Sequence, residues 1–111
     1  KWLAFFPSPK GSIEIDDGAC QAILEKGASL LASGLVRFSG NFGRSEVVSI
    51  LDPKGKIIAR GICRFASNEL DKVIGLDNDS VLQIHSWSKK PEVVHRDFLA
   101  PLLSKTNSEQ A

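Results

Sequence analysis

Glycine divides this chain into short elements, and that spacing constrains the fold more than any other feature. Nine glycines punctuate 111 residues. Ser12 to Asp16 alternates, with Ile13 and Ile15 on one face and Glu14 on the other, as a strand does. Asp17 is placed to cap a helix. Cys20, Ile23 and Leu24 follow at helical spacing, and Gly27 supplies a C-terminal stop. Leu35 to Gly40 reads as a strand. Glu46 to Asp52 reads as another, apolar on both faces at Val47, Val48, Ile50 and Leu51, which places it inside a sheet.

The second half is punctuated in the same way. Pro53-Lys54-Gly55 is a turn signal, and Lys56 to Phe65 is the returning arm of a hairpin. On that arm Ile57, Ala59, Gly61, Cys63 and Phe65 share one face. Lys56, Ile58, Arg60, Ile62 and Arg64 share the other. Ser67 is placed to cap a second short helix with Leu70, Val73 and Ile74 as its apolar stripe, ended by Gly75. A third helix follows Asp77 to Asp79, with Val81, Leu82 and Ile84 turned inward. Pro91 opens a last extended stretch, Glu92 to Leu99. The expected fold is mainly β with short helices, an α+β chain whose short strands close into a barrel or sandwich.

Length and composition are consistent with one soluble domain. A chain of this size buries roughly two-thirds of its unfolded surface. Hydrophobic residues are 42% and charged residues 24%, both ordinary values. The apolar run Trp2 to Phe6 stops at Pro7, too short to span a bilayer or to act as a signal peptide. The chain starts at Lys1 and holds no methionine, so a processed or excised piece of a longer protein is expected. Cys20 and Cys63 lack metal-ligand spacing, and the sparse cysteine count suits a reducing, cytoplasmic setting. The net charge of +1 lacks the strong basic excess of a dedicated nucleic-acid binder. Any such site must be a local patch.

Motifs of catalysis fail on inspection. Gly55-Lys56 lacks the upstream glycine and the following Ser or Thr of a phosphate loop, with Ile50 and Ile57 in those places. His95-Arg96-Asp97 imitates a kinase catalytic loop, but Leu102 stands where that loop carries asparagine. The blander reading is a polar strand end in which Arg96 and Asp97 pair. Asp16-Asp17 sits at a helix start, where carboxylates cap backbone N–H groups. The sequence offers no catalytic residue.

The stretch Asp17-Gly18-Ala19-Cys20-Gln21-Ala22, Gly27-Ala28-Ser29-Leu30-Leu31 and Gly34-Leu35-Val36 resembles the PUA domain, an RNA-binding fold. Four further segments resemble the PUA domain of the glutamate 5-kinase family. They are Lys1-Trp2-Leu3-Ala4, Gly40-Asn41-Phe42-Gly43-Arg44, Asp52 to Gly61 and Glu92-Val93-Val94-His95-Arg96-Asp97. Ser45 stands where that family usually has glycine, and Cys63-Arg64-Phe65 departs from an expected asparagine and tyrosine. The resemblance implies a PUA-type pseudo-barrel over residues 1–103 with a polar tail at 104–111. It implies a non-catalytic regulatory or assembly domain that accompanies an amino-acid-kinase domain of the same parent chain. ATP and Mg2+ would belong to that parent, and this segment would hold no cofactor or metal. Trp2, Phe5 and Phe6 would pack on the core or on the missing domain, and an uncovered patch would favour homo-oligomers. The other implied reading is an RNA-binding module. Its candidate surface is Lys26, Gly27, Ser29 and Gly34 near the first helix, with Lys56, Arg60 and Arg64 on the hairpin arm. The structural alternative for that arm is a solvated outer face.

Overall fold

The computed structural model describes residues 7–102. The readings for Lys1 to Ala4, for Phe5 and Phe6, and for the 104–111 tail lie outside those residues. Five strands form one mixed sheet: β1 (Gly11–Ile15), β2 (Leu35–Gly40), β3 (Glu46–Leu51), β4 (Ile57–Cys63) and β5 (Leu99–Pro101). Their order is β2-β1-β3-β4-β5. β1 runs antiparallel to β2 and parallel to β3, while the β3–β4 and β4–β5 pairs are antiparallel. β3 therefore has a neighbour on each side, as its two apolar faces require, and Val47 to Ile50 are buried.

The first helix, α1 (Asp17–Lys26), is capped by Asp16 rather than by the expected Asp17. The Asp16 carboxylate accepts the Ala19 N–H at 2.8 Å. Asp17 is the first helical residue, where its charge complements the helix dipole. Gly27 ends α1 at φ +62°, a left-handed conformation that glycine adopts without steric cost. Ile23 is the buried residue of α1. Leu24, expected to pack with it, is 48% exposed, because only one narrow stripe of this short helix meets the sheet.

The hairpin arm also departs from simple alternation. Ile50 pairs with Ala59, but Leu51 pairs with Ile57. Ile58 is therefore the extra residue of a β-bulge. The bulge carries Ile58 into the core and leaves Ile57 exposed, reversing the faces expected for that pair. Beyond it Gly61, Cys63 and Phe65 are buried, as expected.

Two short helices follow, α2 (Ser67–Leu70) and α3 (Asn78–Ile84). The cap position of α2 is Ala66, not Ser67, and the Glu69 carboxylate reaches back to accept the Ala66 N–H at 2.9 Å. Ser67 instead faces the β2–β3 loop, where its hydroxyl accepts the Phe42 N–H at 3.3 Å. Asp77 caps α3 by accepting the Ser80 N–H. Val81 is buried and Leu82 half-buried, but Ile84 is 46% exposed rather than inward.

The expected extended stretch Glu92 to Leu99 is interrupted by a 3-10 turn at Arg96–Phe98. Before that turn, Leu30 and Val94 form an isolated antiparallel bridge, and the Arg64 N–H donates to the Val93 carbonyl at 2.8 Å. Val93 and Val94 thus tie the loop after α1 to the end of β4. The core closes around Ile13, Ile15, Ile50, Phe65, Leu70, Val73 and Val94, each with no exposed surface. Burying each larger apolar side chain of this set contributes about 1.5–3 kcal/mol. Among the described residues no helix is long and apolar enough to cross a membrane.

Candidate interaction surfaces

Around α1 the surface is built by close backbone approach. A second 3-10 turn, Ala32–Gly34, packs beside the helix start, and the Asp16 N–H donates to the Gly34 carbonyl at 2.9 Å. A side chain at Gly34 would bring its Cβ to 2.6 Å from the Ala19 Cβ. Glycine is therefore needed there for space rather than for a special backbone angle. The result is a shallow groove of about 290 Å³ that includes Asp16, Gly18, Ala19, Ser29 and Gly34. Its one charged lining residue is Asp16. Lys26 ends α1 and is exposed. The Ser29 hydroxyl already accepts the Arg96 N–H at 2.8 Å. Gly27 lines a neighbouring groove with Arg96 and Asp97.

The other sequence-derived candidates lie elsewhere. Lys56 is exposed next to the β3–β4 turn, where its N–H donates to the Asp52 carboxylate at 2.9 Å. Arg60 stands opposite Ser49 and Ala100 in the sheet. It is half-buried, and its Nε has no hydrogen-bond partner among the described residues. Arg64 donates from Nη1 to the Lys90 and Glu92 carbonyls, both at 2.9 Å, and from Nη2 to Ser88 Oγ at 3.1 Å. The structure brings Ser29 and Gly34 into one groove, places Gly27 in the neighbouring one, and leaves Lys26 exposed at the end of α1. It does not gather Lys56, Arg60 and Arg64 into the same groove.

A second cluster escaped the sequence reading. Arg44, seen there only as the end of a turn motif, lies 3.6 Å above the centroid of the Trp87 ring. Its Nε also donates to both oxygens of Glu69 at 3.0 and 3.1 Å, and Nη2 makes a further contact with Oε2. The hydrogen bonds from Arg44 hold the Glu69 carboxyl below its ordinary pKa, against a smaller opposing effect of burial. Trp87 meets Phe65 edge-on at 5.5 Å. The buried His85 ring donates through Nε2 to the Glu69 carbonyl at 2.7 Å. Three elements, the β2–β3 loop, α2 and the segment after α3, are joined by one guanidinium. Half a capping box, Ala66 with Glu69, was the only local sign of this arrangement.

Neither cysteine is set up as a nucleophile. Burial pushes the Cys63 thiol up to about 11. Cys20 is also raised, by burial first and then by the charges of Asp52, Asp17 and Asp16. Thiolate, not thiol, is the reactive form. Among the described residues no group of His, Cys, Asp and Glu is arranged to hold a metal ion. His95 and Asp97 do interact, through the Asp97 N–H donated to Nδ1 at 3.1 Å and a carboxylate 3.5 Å from the same atom. The Arg96–Asp97 pairing expected from sequence is replaced by this His95–Asp97 contact.

The family model for the PUA domain matches residues 11–84. This chain belongs to the PUA family. The PUA chain is 40% identical over 99 residues to the glutamate 5-kinase of Aliivibrio fischeri, covering 89% of this chain and 27% of that relative. It spans about a quarter of the length of the curated relatives it matches. Among solved structures it resembles a PUA domain from Aeropyrum pernix, crystallised as a tartrate complex. That match has a TM-score of 0.56 and 29% identity, and covers 78% of this chain and 41% of the other. A chain of an archaeal box H/ACA ribonucleoprotein complex shares the fold at a TM-score of 0.53 and 22% identity, over 82% and 26% of the two chains.

Proposed function

We propose that this chain is the non-catalytic accessory domain of a glutamate 5-kinase, with a regulatory or assembly role beside an amino-acid-kinase domain. One observation carries the reading. The identity of about 40% with glutamate 5-kinases runs through 89% of this chain but accounts for about a quarter of theirs. The chemistry of ATP, Mg2+ and glutamate then belongs to the larger part of a cytoplasmic parent enzyme. The cysteines held protonated and the mutually engaged Arg44 and Glu69 support a role in architecture rather than turnover. The test is to express the complete gene product that contains these residues. ATP-dependent phosphorylation of glutamate is the expected activity. A purified, folded product without it would overturn the reading.

RNA contact is the second reading, favoured by the match to the PUA family. Its proposed surface is Lys26, Gly27, Ser29 and Gly34, with Lys56, Arg60 and Arg64 as flanking cations. Side-chain engagement limits it. Arg37 pairs with Glu14 at 2.6 Å, Arg44 with Glu69, and Arg64 with three neutral acceptors. Phosphate contacts make affinity fall steeply with salt. A titration of structured RNA at two salt concentrations should therefore show weak binding with a shallow salt slope. Absence of binding at low salt removes this reading.

A further inference from the structure

A cavity lies away from the α1 groove, between β4 and the 3-10 turn that follows His95. It measures about 480 Å³, and its lining includes Ile62, Arg64, Lys90, His95, Asp97 and Phe98. That volume falls within the range of small-molecule sites. We propose that this cavity binds a small organic carboxylate with an apolar body.

The argument starts from Arg64. Its three hydrogen bonds go to neutral acceptors, two backbone carbonyls and one serine hydroxyl. Arg37 and Arg44, by contrast, are each discharged on a carboxylate. The Arg64 guanidinium is thus held in a fixed orientation while keeping its charge and two of its five N–H donors. A planar guanidinium fixed in this way is suited to a carboxylate. Lys90 adds a second cation to the same lining. Asp97 also lines the cavity, and its carboxylate lies 3.5 Å from His95 Nδ1.

The remaining lining sets the rest of the ligand. The Asp97 N–H donates to His95 Nδ1, which leaves Nε2 as the ring nitrogen that can donate. Phe98 is 53% exposed, and half-buried Ile62 lies beside it. An apolar ligand body would cover that wet surface, which is favourable. Charge at one part of the cavity and apolar surface at another describe an organic acid rather than an inorganic anion.

The experiment is an amide-resolved NMR titration of the 111-residue chain at low ionic strength with benzoate, benzamide and inorganic phosphate. Benzoate should saturate shifts at Lys90 and Phe98, and at Ser45, which also lines the cavity. Benzamide, which keeps the shape but lacks the charge, should bind about ten-fold more weakly. Phosphate should also be weaker, because it leaves Phe98 uncovered. Lys90 contributes only backbone atoms to the fold's hydrogen bonds here, so Lys90→Gln should keep the spectrum and weaken benzoate about three- to five-fold. Phe98→Ala, at an exposed position, should weaken it as well. Equal binding of benzoate and benzamide overturns the proposal. So does phosphate binding as tightly as benzoate, an unchanged affinity in Lys90→Gln, or shifts centred outside the cavity.

Discussion

Around α1 the fold is held by backbone contacts and by the absence of side chains. Across α2 and the end of α3 it is held by charged side chains that reach far along the sequence. At the first region Gly34 lets the 3-10 turn touch Ala19, and Asp16 and Gly27 close the two ends of the helix. At the second, Arg44 spans Glu69 and Trp87. The first region is shape with little charge. The second is charge already spent on the fold. Lys26 stands exposed at the end of α1, but neither region gathers the cluster of free cations that tight phosphate recognition needs. That difference is what the proposed architectural role requires.

The largest effect that separates the regions should come from Gly34→Ala. The new methyl would overlap the Ala19 Cβ, and overpacking of this kind costs about 1–3 kcal/mol. Urea unfolding measures it, and a loss indistinguishable from zero would show that the turn moves freely from the helix. Next comes the cap. Asp16→Ala should cost about 1 kcal/mol, and Asp17→Ala clearly less. Equal losses would return the cap to Asp17. A smaller change of opposite sign is expected at Ser45, whose φ is +67°. Ser45→Gly should stabilise by about 0.5–1 kcal/mol, because glycine adopts that conformation without strain.

The subtlest difference is read from pH. The folded Glu69 carboxyl lies below its unfolded value of roughly 4.3, chiefly through its hydrogen bonds to Arg44. A depressed carboxyl contributes stability that is present above the unfolded pKa and is lost as pH falls through the folded one. Arg44→Ala should therefore lower the melting temperature at pH 6, and that gap should shrink toward pH 3. A gap of constant size would mean that Arg44 acts through Trp87 alone. Gly34→Ala should show no such pH dependence.

What could be read from the sequence divides along the same line. β1, β2, β3 and the stop at Gly27 were legible because each depends on neighbours in the chain. The shift from Asp17 to Asp16 as cap is a one-residue ambiguity between two adjacent carboxylates. The inward turn of Ile58 was not legible, since a bulge depends on the register of the partner strand. The Arg44–Glu69 contact was not legible either, because the residues are 25 apart and no local spacing announces them. The candidate surface followed the same rule. Ser29 and Gly34 share a groove because the loop after α1 returns to the helix start, while Gly27 lines a neighbouring groove and Lys26 lies exposed at the helix end. Lys56, Arg60 and Arg64 share a strand arm in sequence, yet burial and Arg64's carbonyl partners separate their roles.

The measurement that bears most directly on the accessory role is a deletion in the complete enzyme. The parent chain without these 111 residues should still phosphorylate glutamate with ATP, while its subunit assembly or its response to regulatory ligands changes. A folded truncated chain that fails to bind glutamate and ATP would contradict the account, because it would place part of the catalytic site in this domain.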